Sequence, residues 1–135
     1  MGRSRRLRVL LDTHTLIWWW ARYPKIRGTR SFAVINDAAT DIFVSAATGW
    51  EIATKNRTRG IDLPVSIEQL EDAIRDEGFI TLDVTMTHAI HAGNYDAEHR
   101  DPFDRLLAAQ AEIEGLTLLT ADPAFAAFPC LTLWH

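Results

Sequence analysis

The stretch that most limits the possible folds of this chain is residues 99–122, near the C-terminal end, because it contains a whole helix–turn–strand unit. Asp101 followed by Pro102 is typical of a helix N-cap and a first helical residue. Gly115 suits the position just after a helix, where a left-handed backbone conformation ends it. The largely apolar run at 116–120 then predicts a short buried strand. A helix that returns directly into a buried strand is typical of an α/β fold.

Acidic residues occupy both ends of this unit. Asp104 lies in the first helical turn, at the N-terminal end of an apolar face formed by Leu107, Ala108 and Ala111. Asp122 follows the strand. Because a helix start and a strand end can lie side by side, we expect Asp104 and Asp122 to come together although they are distant in sequence.

The same alternation of strands and helices runs through the whole chain. The apolar runs are too far apart for hairpins, so we predict a three-layer α/β fold with a mainly parallel central sheet flanked by helices. Three consecutive tryptophans at 18–20 cannot share one helix face, so at least one is expected to be partly exposed or to cover a neighbouring element. The predicted strands span 8–11, 41–45, 79–82, 116–120 and 131–134, and the predicted helices span 13–20, 30–39, 46–57, 66–77 (capped by Ser66), 85–93 and 101–115.

Length and composition set further limits. The 135 residues fit one domain, so we predict a single domain over 1–135 with a basic N-terminal extension at 1–7. Cys130 is the one cysteine, so no internal disulfide can form and a reducing, cytoplasmic location is expected. No apolar run approaches the length of about 18 residues that a membrane helix needs. A signal peptide is not expected either, because the apolar run behind the basic start ends at Asp12.

The formal net charge of −4 hides an asymmetry between the two halves of the chain. Residues 1–60 contain 11 lysines and arginines against 4 acids, whereas residues 61–135 contain 3 against 14. The basic half could bind a polyanion, or its charges could simply lie on a solvated face. The sequence leaves both interpretations open.

Four acids are expected at one edge of the predicted sheet. Asp12 and Asp122 follow strand ends, Asp104 opens a helix, and Glu51 lies about two helical turns beyond the strand at 41–45. In such sheets, ligands bind outside the carboxyl ends of the strands. Clustered carboxylates repel each other, and a divalent cation relieves that repulsion. Oxygen ligands without matched Cys or His favour Mg²⁺ or Mn²⁺, which can activate water for displacement at a phosphodiester.

Each acid also has a purely structural interpretation. Asp122 precedes a proline and could be only an N-cap, and Asp104 could complement the helix dipole. Glu51 could pair with Lys55, four residues further along the helix. Asp12 has the weakest structural interpretation, because an acid that ends a buried strand is costly without a partner. The joint placement of the four favours a shared metal site.

Four segments together resemble the PIN-domain family, and more narrowly the VapC toxins of bacterial type II toxin–antitoxin pairs. They are LLDTHTLIWW at 10–19, SAATGWEIATK at 45–55, HRDPFDRLLAAQA at 99–111 and LTLLTADPAF at 116–125. The resemblance extends from about residue 8 to residue 134, with the motifs in the order of the family. Thr48-Gly49 before the tryptophan and the arginine-rich N-terminus depart from the family pattern, but neither removes an acid.

The resemblance implies a metal-dependent ribonuclease. It implies that Asp12, Glu51, Asp104 and Asp122 hold Mg²⁺ or Mn²⁺ and hydrolyse an RNA substrate (tRNA, rRNA or mRNA). Glu51 would orient or deprotonate the attacking water, or complete a second metal position. The resemblance further implies a VapB-like antitoxin whose tail occupies the acidic cleft. It also implies a homodimer, for which residues 18–20 are one candidate surface.

Other residues receive supporting roles in this hypothesis. Thr13, Ser45 and Thr120 lie beside the acids and could orient water or a carboxylate, or could cap the local backbone. Asp101 is expected to support the third motif as its N-cap. For Arg100 and Arg105, a phosphate contact and a salt bridge are equally open. The basic residues that are candidates for RNA contact are Lys55, Arg57, Arg59, Arg100 and Arg105.

Three alternatives compete with the ribonuclease. A haloacid dehalogenase-type phosphatase needs a second Asp two residues after Asp12, where this chain has His14. A response-regulator receiver needs paired acids at the first strand and a late lysine, and no lysine follows Lys55. The third alternative is a catalytically silent PIN fold that binds RNA or protein. Four intact acids argue against it, and cleavage that is lost on changing Asp12 would separate the two.

Overall fold

Five parallel strands form the central sheet of the computed structural model, which describes residues 6–135. The order across the sheet is β3-β2-β1-β4-β5, and every neighbouring pair runs parallel. The predicted α/β fold with a mainly parallel sheet is therefore confirmed. The strands are β1 (Arg8–Leu11), β2 (Asp41–Ser45), β3 (Ile80–Leu82), β4 (Thr117–Leu119) and β5 (Thr132–Leu133).

Helices cover both faces of this sheet. Val9 and Leu11 of β1 belong to a core that contains residues of α1 to α4, whereas Leu10 belongs to a second core with α6. Alternate residues of a strand point to opposite faces, so β1 contributes to both cores and the fold has three layers. The helices are α1 (Thr13–Ala21), α2 (Arg30–Asn36), α3 (Ala46–Arg59), α4 (Leu70–Asp76), α5 (Met86–Asn94) and α6 (Pro102–Glu114).

Helix α6 forms where the sequence predicts it because both of its ends are capped. The Asp101 carboxylate accepts hydrogen bonds from the backbone N–H groups of Phe103 and Asp104, at 2.9 and 3.1 Å. Pro102 is the first helical residue, and Gly115 ends the helix in the left-handed region at φ 68°. The apolar face is buried as predicted, at Leu107, Ala108 and Ala111.

The three tryptophans at 18–20 are all partly exposed, in agreement with the prediction that they cannot share a buried face. Trp18 stacks on Tyr23, and Trp134 meets Trp18 edge-on, each with ring centroids 5.7 Å apart. The Trp19 indole N–H donates a hydrogen bond to the carboxylate of Glu77 at 3.2 Å. These contacts tie α1 to the C-terminal strand and to the end of α4.

Some element boundaries differ from the prediction. The helix predicted over 30–39 ends at Asn36, because Asp37 turns to an extended conformation (φ −85°, ψ 119°). The prediction of a helix that starts at Ser66 is wrong for its first turn. The Ser66 side chain makes no capping hydrogen bond, and a 3₁₀ turn at Ile67–Gln69 precedes α4. The third, fourth and fifth strands are each one residue shorter than predicted at one or both ends.

Arg6 is the first residue that the structure describes, and its guanidinium lies 2.8 Å from the Asp41 carboxylate. The first five residues of the predicted extension at 1–7 lie outside the described residues. Along the described chain, no helix is both long and apolar enough to cross a membrane.

Two glycine-to-alanine changes should have opposite effects on stability. Gly115→Ala places a Cβ in the left-handed region and should lower the free energy of unfolding by about 1 kcal/mol. Gly49→Ala lies inside α3 with open space around the added Cβ, and should raise it by about 0.5–1 kcal/mol. Urea denaturation of both variants measures these changes, and equal losses at the two positions would contradict this account.

Candidate active site

Asp12 is a buried carboxylate at the carboxyl end of the central strand β1, with 5% of its surface exposed. It is the N-cap of α1, and its Oδ1 accepts hydrogen bonds from the Thr15 backbone N–H at 2.8 Å and the Thr15 hydroxyl at 2.6 Å. Burial raises the pKa of Asp12 above its usual value, while the Thr120 and Thr15 hydroxyls and the His14 charge oppose that shift. No ion pair reaches Asp12 within residues 6–135. Hydroxyl and amide groups alone hold this carboxylate.

Thr15 connects Asp12 to the neighbouring strand. Its buried hydroxyl lies 2.6 Å from Asp12 Oδ1 and 2.9 Å from the backbone oxygen of Leu119, the last residue of β4. The Asp12 backbone N–H also donates to this Leu119 oxygen, at 3.2 Å. Sequence reasoning missed Thr15, although the signal was present: in the segment DTHT, Thr15 stands three residues after the N-cap, where its side chain can meet the cap.

Glu51 lies in the second turn of α3 and is 4% exposed. The Thr13 hydroxyl donates a hydrogen bond to Glu51 Oε1, and the Lys55 ammonium lies 2.6 Å from Glu51 Oε2. The structural interpretation of Glu51 as the partner of Lys55 is thus observed. Thr13 follows Asp12 directly in the chain, so its hydrogen bond joins the start of α1 to the buried face of α3.

Asp104 lies in the first turn of α6 and is partly buried. Its Oδ2 is 2.8 Å from Nε2 of His99. Burial raises the pKa of Asp104 to about 6, the charges of Asp101 and Glu51 shift it in the same direction, and the hydrogen bond with His99 opposes them. The charge of Glu51 on α3 therefore acts on Asp104 at the start of α6.

The helices that carry Glu51 and Asp104 also pack through an aromatic pair. Trp50 of α3 meets Phe103 of α6 edge-on, with ring centroids 4.7 Å apart. Each aromatic residue immediately precedes an acid in the chain. Packing of the two rings therefore positions the two carboxylates relative to each other.

Asp122 differs from the other three acids because its carboxylate is exposed. It accepts a hydrogen bond from the Ala124 backbone N–H at 2.9 Å and caps the 3₁₀ turn at Pro123–Ala127. Its own backbone N–H donates to the Thr120 hydroxyl at 3.0 Å. The N-cap interpretation of Asp122 is observed, and Thr120 connects Asp122 to the environment of Asp12.

The remaining predicted residues cap helices, hold a loop or are exposed. Ser45 caps α3 by accepting from the Ala47 backbone N–H at 2.9 Å, and Asp101 caps α6. The Arg105 guanidinium donates to the backbone oxygens that follow α5, those of Tyr95, Ala97 and His99 among them. Arg105 thus has a structural role, which replaces the open choice between a phosphate and a salt bridge. The exposed basic candidates are Arg57 and Arg59 at the end of α3 and Arg100 just before α6.

The donor set suits a hard divalent cation. Asp12, Glu51 and Asp104 offer only carboxylate oxygens. Burial raises the pKa of Asp12 and of Asp104, and neighbouring acids raise that of Asp104 further. A divalent cation would compensate these charges. Within residues 6–135, no three His, Cys, Asp or Glu side chains are close enough together to hold an ion directly among them. Mg²⁺ commonly binds through one or two carboxylates and keeps several waters, so this spacing fits a hydrated ion.

Replacing the Thr15 hydroxyl should destabilise the fold at this edge of the sheet. Thr15→Val keeps the shape but removes the donor to Asp12 and Leu119, so the free energy of unfolding should fall by about 1–3 kcal/mol. The matched control is Thr58→Val, since that exposed hydroxyl bonds only the Thr54 oxygen within its own helix. Urea denaturation should show a change below about 0.5 kcal/mol for the control, and an equal loss would contradict the role of Thr15.

Asp104→Asn should stabilise the metal-free protein in a pH-dependent way. A folded-state pKa of about 6, above the usual 3.8, means that ionisation of Asp104 lowers the stability of the fold as the pH rises from about 4 to 6, and that the full loss is present above pH 6. In EDTA at pH 8 the variant should therefore be more stable than the native chain by about 1–3 kcal/mol. The gain should shrink as the pH falls to 4.5, and urea denaturation across this range measures it. The control is Asp72→Asn, an exposed acid on α4, and an equal gain at pH 8 in that variant would contradict the role of burial at Asp104.

Comparison with known proteins gives the family of this chain. A PIN-domain family model matches residues 9–129. Ribonuclease VapC22 of Mycobacterium tuberculosis is 30% identical over 118 residues, which are 84% of this chain and 86% of that protein.

Solved structures share the fold. VapBC2 from Rickettsia felis, bound to a DNA fragment from its promoter, matches with a TM-score of 0.66 and 16% identity, over 96% of this chain and 100% of that chain. FitAcB from Neisseria gonorrhoeae matches with a TM-score of 0.61 and 23% identity, over 93% and 96%. Since the family model spans all of the motifs and most of the sheet, this chain belongs to the PIN-domain family.

Proposed function

We propose that this chain is a metal-dependent endoribonuclease and the toxin of a type II toxin–antitoxin system. The observation that carries the proposal is the buried carboxylate of Asp12, which ends the central strand and is held only by hydroxyl and amide donors. Glu51 and Asp104 reach the same edge of the sheet from α3 and α6. The 30% identity to a protein named Ribonuclease VapC22 supports the RNA substrate.

Asp12, Glu51, Asp104 and Asp122 are the residues that would hold Mg²⁺ or Mn²⁺ in this proposal. When bound, the cation would supply Lewis acidity at a phosphate oxygen and a lowered pKa for water. Asp122 would join the set with its second oxygen, since Oδ1 accepts the Ala124 N–H. Thr15 and His99 orient the carboxylates of Asp12 and Asp104 from the side.

Glu51 is the residue we assign to the attacking water. Thr13 and Lys55 each contact one of its oxygens, so the carboxylate has a defined orientation. It would orient the water or accept its proton, and hydrolysis by water needs no RNA 2′-hydroxyl as nucleophile. Lys55, Arg57, Arg59 and Arg100 are proposed to contact the RNA backbone, with Lys55 also paired to Glu51.

The partners of this chain are also proposals. A VapB-like antitoxin is supported by the VapBC2 and FitAcB structures that share the fold. A homodimer, a cytoplasmic location and a single PIN domain over 1–135 belong to the same proposal. For the dimer, residues 18–20 remain one candidate surface, since all three tryptophans are partly exposed.

Cleavage of a mixed tRNA and rRNA pool tests the activity. In Mg²⁺ or Mn²⁺ the native chain should release discrete fragments, and EDTA should abolish them. Asp12→Asn and Asp104→Asn should each lower the rate by about 100-fold or more. Asp72→Asn, an exposed acid on α4, is the matched control and should cleave normally.

Two results would overturn the proposal in different ways. Cleavage that survives EDTA and both substitutions would exclude the metal mechanism. If the metal-loaded native chain cleaves none of these RNAs, the silent binding module becomes the better account.

A further inference from the structure

A cleft of about 640 Å³ opens beside the candidate active site. Thr120 and Asp122 form the side nearest the carboxylates, and Lys25, Arg30, Trp134 and the C-terminal His135 are among the residues that line the rest of it. The Thr120 hydroxyl accepts a hydrogen bond from the Asp122 backbone N–H and forms a hydrogen bond with the Asp12 carboxylate. The cleft is therefore continuous with the site where we place the chemistry.

Among the described residues, the two cations of this cleft have no acidic partners. Lys25 and Arg30 are both exposed, and neither forms an ion pair in the part of the chain that the structure describes. A role in neutralising Asp122 is therefore not observed. The Lys25 ammonium lies 4.8 Å from the centroid of the Trp18 ring, which holds it at the cleft by a cation–π contact.

Aromatic surface accompanies these charges. Trp134 lines the cleft and packs edge-on against Trp18, so one indole supports Lys25 while the other faces the cavity. Grooves that bind single-stranded nucleic acid combine cations that follow the backbone with aromatic rings that contact bases. An acidic peptide would need the cations but not the ring, so the combination favours RNA.

We propose that this cleft is a subsite for single-stranded RNA, in which Lys25 and Arg30 contact phosphates next to the scissile bond and Trp134 contacts a base. The inference rests on the proposed ribonuclease function and extends it to the path of the substrate. The strand would run from the carboxylates past Asp122 and Thr120 into the cleft. The motif acids would then act on one phosphate while the cleft holds its neighbours.

The test measures binding of a fluorescent 12-nucleotide RNA of mixed sequence by anisotropy, with Ca²⁺ in place of Mg²⁺ and a series of salt concentrations. For a single strand, removing one phosphate-binding cation should reduce the slope of log K against log salt by about 0.7. The double variant Lys25→Ala/Arg30→Ala should thus reduce the slope by about 1.4. The matched control, Arg27→Ala/Arg75→Ala, removes the same charge from exposed positions outside the cleft and should keep the native slope.

The aromatic contact has a separate signature. Trp134→Leu keeps an apolar side chain against Trp18 but removes the indole, so affinity should fall roughly tenfold because the base no longer stacks. The salt slope should stay unchanged, because both phosphate-binding cations are still present. Thermal unfolding checks that the variant is folded. In the cleavage assay, Lys25→Ala/Arg30→Ala should raise KM and leave kcat within about twofold of the native value.

Several outcomes would overturn the subsite. The subsite is rejected if Lys25→Ala/Arg30→Ala binds the RNA with the native affinity and the native salt slope. It is also rejected if the native chain does not bind the RNA at all. If the double variant keeps RNA binding but loses binding of poly-glutamate, the cleft holds an acidic protein segment instead. Metal-dependent cleavage by the native chain, with an unchanged KM in the double variant, rejects the subsite and leaves the ribonuclease in place.

Discussion

The fold depends on a carboxylate buried at the end of its central strand. A buried charge without a cation is costly, and Asp12 is compensated by the donors of Thr15 and by the Thr120 hydroxyl. These donors come from the first turn of α1 and from the end of β4. Strands β1 and β4 and helix α1 therefore share one polar junction. Everything proposed for function is built around this junction.

Hydrogen-bonded caps also position the other acids. Asp101 caps α6 and so positions Asp104 in the first turn, Ser45 caps the helix that carries Glu51, and Asp122 caps a 3₁₀ turn. Ser45 and Asp122 lie at the carboxyl ends of strands in one parallel sheet, which share a common edge, and Asp101 begins the helix that leads into β4. The groups that start the helices thus also fix the acids along this edge. Stability and site geometry depend on the same hydrogen bonds.

Acidic and basic side chains occupy different positions around this edge of the sheet. Asp12 and Asp122 follow strands, Glu51 and Asp104 lie within the first two turns of helices, and Lys55 pairs with Glu51. Lys25 and Arg30 lie beside the site without acidic partners among the residues described. The excess of basic residues in the first half of the chain therefore includes both a structural partner and free surface cations. The sequence left those two roles open, since side-chain pairing depends on packing.

Local patterns were sufficient for most of the elements. The capping residues and apolar periodicity of α6 predicted both of its ends, because caps and helix faces are set by neighbours a few residues apart. Prediction was wrong at Ser66, where a residue that often caps a helix makes no capping bond and a 3₁₀ turn begins instead. At Asp37 an early extended residue ended the predicted helix, which a periodic pattern alone does not reveal.

The sequence by itself determined the α/β class, the parallel sheet and the choice of Asp12, Glu51, Asp104 and Asp122 as the acids to examine. Only the tertiary structure decided what surrounds them: the Thr15 bridge to Leu119, the contact of Trp50 with Phe103, and the use of Arg105 to hold a loop. It also decided that Lys25 and Arg30 share a cleft with Trp134, which stands at the far end of the chain. The reason is physical. Local propensity acts over a few residues, whereas hydrogen bonds and packing between elements depend on which chain segments the sheet brings together.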